Sequence, residues 1–200
     1  MALLEGVKKQ VDRTTGWRRP TGRELDAAVR PRKANAFSFA DDGRVPNNPG
    51  LPFVVYRSAV RLAGPFDPAA VFEELFARNG WGDSWRDGIY DYVHYHPRIH
   101  EVLGIARGRA RVRFGGSKGR VFDLKPGDVA ILPAGTGHQR LAGSDDLLVV
   151  GAYPPFGTYE ECRASAADHD RFRAAIAKAL PRKDPVYGRD GPLLRLWRQP

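Results

Sequence analysis

The sequence has almost no cysteine: one residue, Cys162, in 200. A lone thiol cannot close an internal disulfide, so a disulfide-stapled secreted domain is excluded and a reducing cytoplasm is the expected compartment. Long hydrophobic runs are missing too. The longest apolar stretch lies in DLLVVGAY (146–153), far short of the roughly 18–20 residues a membrane-spanning helix needs. The opening MALLEGVKKQ is too short in apolar residues for a secretory leader, so none is expected. No zinc finger, helix-turn-helix or aromatic-plus-basic RNA motif is present. Histidine is scarce, five residues in all, yet three of them fall within HYHPRIHE (94–101).

With 42% hydrophobic residues, the chain suffices for one domain with a real core and falls short of two. The net charge of +9 is uneven: residues 1–33 hold nine Lys or Arg against four acids, +5 of the total. Those residues lack apolar periodicity and are broken by Gly16, Pro20, Gly22 and Pro31. Residues 1–34 are therefore expected to form a basic, disordered arm, with at most a short helix near Gly22–Val29. Weak nonspecific attraction to nucleic acid is the most such an arm offers.

Residues 35–200 read as a single domain. FVVYRSAVRL (53–62) is a strand, and DPAAVFEELFARNG (67–80) a helix capped by Asp67, with Pro68 at its first position and Val71, Phe72, Leu75 and Phe76 on one face. From Gly88 to Tyr153 short alternating strands follow one another between Gly and Pro turns, as in an antiparallel sandwich or barrel. The barrel core is placed at about 88–153. A last helix is expected at about 168–180, with Phe172, Ile176 and Leu180 on one side.

In a strand, His94 and His96 point to the same side. Pro97 suits a turn, after which Glu101 can enter the next strand facing the same interior; His138 follows another Pro/Gly turn in LPAGTGHQR. The spacing Gly88, five residues, His94-Tyr95-His96, four residues, Glu101, six residues, Gly108 resembles the first motif of the cupins. Gly127, five residues, Pro133-Ala134-Gly135, two residues, His138 resembles their second, about twenty residues on. Ala142 departs from it where asparagine is usual. DDGRVPNNPGLP, RNGWGDSWRDGIY, HEVLG, VGAYPP and DPVYGRDGPLLRLW resemble the bacterial YjlB-like cupins, over roughly residues 35–198.

The resemblance implies an all-β double-stranded barrel, or jelly roll, with one or two flanking helices. It also implies one divalent metal bound by His94, His96, Glu101 and His138, and a homodimer paired through sheet edges, but no particular reaction. His100, which should point away from Glu101, is read as a residue behind the site. Tyr92 and Arg140 share the parity of His94 and His138 and could line a pocket. Trp85 and Tyr90 are read as packing, His169 as a surface residue and Cys162 as a buried structural thiol. Four protein donors saturate a tetrahedral zinc, whereas octahedral Fe(II), Mn(II) or Ni(II) keeps two positions for a ligand. A metal-dependent, dioxygenase-like oxidoreductase on a small organic substrate is expected. The alternatives are a noncatalytic sensor or storage module binding metal and ligand, and an isomerase or decarboxylase.

Overall fold

The computed structural model describes residues 18–198 of the chain. Along them run α1 (Gly22–Ala28), β1 (Ala34–Phe37), β2 (Phe53–Tyr56), α2 (Pro68–Arg78), β3 (Gly82–Asp87), β4 (His94–Tyr95) and β5 (Glu101–Arg107). Then come β6 (Ala110–Phe114), β7 (Arg120–Leu124), β8 (Val129–Leu132), β9 (His138–Gly143), β10 (Leu148–Tyr153), β11 (Cys162–Arg163), α3 (Ala166–Phe172) and α4 (Pro192–Arg198). The strands form two sheets, β1-β2-β8-β5-β10-β3 and β11-β4-β9-β6-β7, in which every pairing of named strands is antiparallel.

Burial explains which strands alternate. In β6, Ala110, Val112 and Phe114 are buried while Arg111 and Arg113 face outward, because the outer face of that sheet meets water. By contrast β2 and β8 are buried throughout, since the six-stranded sheet is covered on both faces. One face packs on the other sheet through Phe53, Leu103, Ile105, Val112, Phe114 and Phe122, with Phe53 stacked on Phe114 at 4.4 Å. The other carries α2 through Phe72, Leu75 and Phe76. A Cβ on Gly104 would lie 2.5 Å from the Phe72 ring, so glycine lets helix and strand approach. Asp67 caps α2 by accepting from the Ala69 N–H at 3.0 Å, as the sequence predicts. Among the described residues no helix is long and apolar enough to cross a membrane.

Three expectations need correction. The predicted disordered arm is folded from Arg18 onward: Arg19 pairs with Glu73 and Glu74 of α2, and Leu25 and Ala28 are buried. Arg19 is thus a counter-ion to an acidic helix edge and Arg18 pairs with Glu24 of α1, while residues 1–17 lie outside the described residues. The barrel is also wider than 88–153, because β2 sits inside the six-stranded sheet and β3 closes its edge. Finally, the helix expected at 168–180 stops at Phe172 and passes through a 3-10 turn, Arg173–Ala175. Beyond it the backbone is captured by other elements: the Ala177 N–H bonds Pro97 O at 2.9 Å, and Leu180 is exposed.

Candidate metal centre

Strand pairing sets His94 directly opposite His138, as Cα partners across β4 and β9. His96 lies two residues on, and Glu101 opens β5 beside Leu132, the last residue of β8. The turn ahead of His138 is held from several sides. The Gly135 N–H bonds His96 O at 2.8 Å, and Gly135 itself has a φ of +88°, where a Cβ would press on Asn47 O at 2.8 Å. Asn48 donates to Ala134 O at 3.0 Å, and the Gly137 N–H reaches Asn47 Oδ1 at 3.3 Å. Both asparagines are buried.

All four candidate ligands are buried, and the structure brings them together. The Nδ1 atoms of His94, His96 and His138 face the carbonyls of Tyr92, Glu160 and Thr136 at 3.3, 2.9 and 3.2 Å. A carbonyl only accepts, so each Nδ1 carries the proton and each Nε2 turns a lone pair inward. The three imidazoles form a cluster whose ligand atoms lie within 4.8 Å of one another. The Glu101 carboxylate joins from one side, its Oε2 at 3.5 Å from His138 Nε2 and 3.8 Å from His96 Nε2. That oxygen is buried and accepts no hydrogen bond. Four acceptor atoms thus converge, which is unfavourable unless a cation or a proton sits between them. The donor set fits a divalent metal.

Electrostatics agrees. Burial, reinforced by the neighbouring His96, lowers His94 to about 4, and burial with His94 and His96 holds His138 well below its usual value. Both imidazoles are therefore neutral and ready to donate. Burial raises the Glu101 carboxyl, although His96 and a hydrogen bond from Tyr153 oppose it. Tyr153 is a positioning residue that the sequence reading missed: its hydroxyl also accepts from Trp85 Nε1 at 2.9 Å. A cavity of about 380 Å³ opens over the cluster, walled by Trp85, Ile89, Tyr90, Leu103, Tyr153 and Tyr159.

Other expectations fare differently. His100 is fully buried and faces away from the cavity: the Ala134 N–H donates to its Nδ1 at 2.8 Å, and its Nε2 reaches Ala179 O at 2.7 Å. Neither Tyr92 nor Arg140 lines the cavity. Tyr92 bonds Glu161 under the Arg163 guanidinium, while Arg140 lines a neighbouring cleft with Asp87 and Asp145. Trp85 and Tyr90, expected only to pack, stand in the cavity wall. Burial pushes the Cys162 thiol up to about 11, in keeping with a structural role.

His169 is buried rather than on the surface, and its Nε2 bonds both Asp41 oxygens at 2.8 Å. The Asp41 partner raises its pKa, so the imidazolium form favours the folded state. That stability is complete below the unfolded value of about 6.5 and fades as pH rises through the raised folded value. His169→Gln is therefore expected to cost more stability at pH 5.5 than at pH 8.5 in urea titrations. An equal cost at both would refute the ion pair.

Comparison with known proteins adds the following. The cupin family model matches residues 88–154. A curated relative, "Uncharacterized protein YjlB" of Bacillus subtilis, is 38% identical over 167 residues, covering 83% of this chain and 98% of that protein. Among solved structures, acireductone dioxygenase from Bacillus anthracis, with a cadmium ion in its active centre, is 22% identical with a TM-score of 0.33, over 45% of this chain and 65% of its own. An oxalate decarboxylase variant from Bacillus subtilis is 20% identical with a TM-score of 0.34, over 60% of this chain and 29% of its own. This chain thus spans nearly all of the curated relative but less than two thirds of those two solved chains.

Proposed function

The chain belongs to the cupin family, in the group of the Bacillus subtilis YjlB protein, and on that premise we propose that it is a divalent-metal oxidoreductase acting with dioxygen on a small organic substrate. One observation carries the reading: three Nε2 lone pairs and the unpartnered Glu101 Oε2 meet at the floor of a cavity open to solvent. His94, His96, Glu101 and His138 would hold the ion. Three imidazoles and one carboxylate suit Fe(II), Mn(II) or Ni(II) better than Zn(II), because six-coordination leaves positions for substrate and dioxygen. The metal would supply Lewis acidity and, for iron or manganese, access to dioxygen chemistry. Tyr153 holds the Glu101 carboxylate in place, and Trp85, Ile89 and Leu103 would give the substrate apolar surface to pack on.

A metal- and ligand-binding protein without turnover is the second reading. It is favoured by the walls, which among the described residues bring no lysine and no histidine beyond the three of the cluster, leaving Glu101, Asp87 and the tyrosines to move any proton. Elemental analysis of the purified protein, followed by dioxygen-uptake assays with that metal restored, tests both. About one Fe, Mn or Ni per chain is expected, with uptake that ends when the metal is removed. Metal without any dioxygen-dependent turnover would leave the binding reading, and absence of metal would overturn both.

A further inference from the structure

Resting on the metal reading above, we propose that the cavity takes a planar aromatic substrate, gripped between Tyr90 and Tyr159, rather than a small dicarboxylate.

The first observation is where the exposed rings are. Among the described residues five large apolar side chains remain exposed, and two of them, Tyr90 at 46% and Tyr159 at 54%, flank this one mouth. Exposed apolar surface gathered at a cavity marks a binding surface. Tyr90 stands beside His94, at 5.2 Å between ring centroids, and Tyr159 beside His96, at 4.9 Å. Each ring therefore stands beside a different histidine of the cluster, in the wall of the same cavity. Tyr90 is held from behind: it stacks on Tyr92 at 4.8 Å and 15°, and Arg163 lies 3.3 Å over the Tyr92 ring. Such a preset ring loses little freedom when a flat ligand packs on it.

The second observation is charge. Arg86 is the one cation in the wall among the described residues, and its charge is taken. Its Nε and Nη2 bond Glu73 at 2.8 and 2.9 Å, and its Nη1 pairs with Asp67. The other charged wall groups, Asp87 and Glu101, are acids. A dicarboxylate would thus find a counter-charge only at the metal and meet like charge beside it. Trp85, Ile89 and Leu103 offer instead the apolar depth an aromatic ring fills. Size agrees, since an apolar cavity of about 150 Å³ holds benzene and this one, at about 380 Å³, has room for a substituted ring.

Titration of metal-loaded protein with 4-nitrocatechol, followed by its absorbance, and with oxalate, followed calorimetrically, tests the assignment. Tyr90→Leu and Tyr159→Leu are each expected to weaken 4-nitrocatechol about 10-fold while leaving oxalate affinity and metal content unchanged. Loss of neither ligand, or equal loss of both, overturns it. Metal-stripped protein titrated with 4-nitrophenol, read by tryptophan fluorescence, separates the two readings. Binding there that weakens in Tyr159→Leu upholds the aromatic grip even if no metal is ever found. Metal-dependent 4-nitrocatechol binding indifferent to both tyrosines defeats the grip and leaves the metal centre standing.

Discussion

His138→Ala is expected to purify with less than about a tenth of the wild-type metal content, measured by elemental analysis on protein expressed in parallel. His138 is the ligand with most to lose. It lies opposite His94, with ring centroids 3.9 Å apart, and it is the imidazole nearest Glu101 Oε2, at 3.5 Å. The barrel should survive, because the apolar contacts between the sheets run through Phe53, Leu103, Phe114 and Phe122 and do not include it. A contrast in thermal stability sharpens the test. Stripping metal from the wild type leaves four buried acceptors facing one another, so chelation should lower its Tm by several degrees. The variant has fewer opposed lone pairs and no metal to lose, so a chelator should not move its Tm. Full metal content in His138→Ala would remove the assignment, and a chelator-sensitive Tm in the variant would locate the metal elsewhere.

The ligands are legible in the sequence because period-two alternation and Gly/Pro turns fix side-chain direction before any tertiary contact is known. His94 and His96 share a face, and Gly127 and Gly135 set the turns around β8 that deliver His138. The same parity argument turned His100 away from the site, where it is found. It failed for Arg140, which keeps the parity of His138, pairing with Val112 as His138 pairs with Phe114, yet lines the neighbouring cleft with Asp87 and Asp145. Long-range capture was not legible either. β3, with the sequence GDSWRD, has little strand propensity and exists because β10 pairs with it. Residues 173–180 keep a helical pattern in sequence, yet bonds to Pro97 and His100 draw the backbone out of a helix. Arg19 sits in a basic stretch without apolar periodicity, and its partners Glu73 and Glu74 lie 54 and 55 residues away in sequence.

The last prediction concerns His100, which joins fold to site without touching the cavity. Its Nδ1 accepts from the Ala134 N–H and its Nε2–H donates to Ala179 O, so it must be neutral and in one tautomer. The ring packs against Trp197 of α4 at 4.8 Å and Phe156 at 6.0 Å, tying the C-terminal segment to the turn that precedes His138. His100→Ala would leave a void and two unpartnered backbone groups, a cost of about 3–5 kcal/mol in urea unfolding. Burial lowers the His100 pKa to about 4. A depressed folded value means the contribution is complete above the unfolded value of about 6.5 and is lost as pH falls from there through about 4. Integrated over that window, the wild type should lose about 3 kcal/mol from this residue alone. The cost of His100→Ala should therefore shrink between pH 7 and pH 4. A constant cost across that range would show that His100 contributes packing and no proton linkage. An unchanged stability at pH 7 would refute the bridge itself.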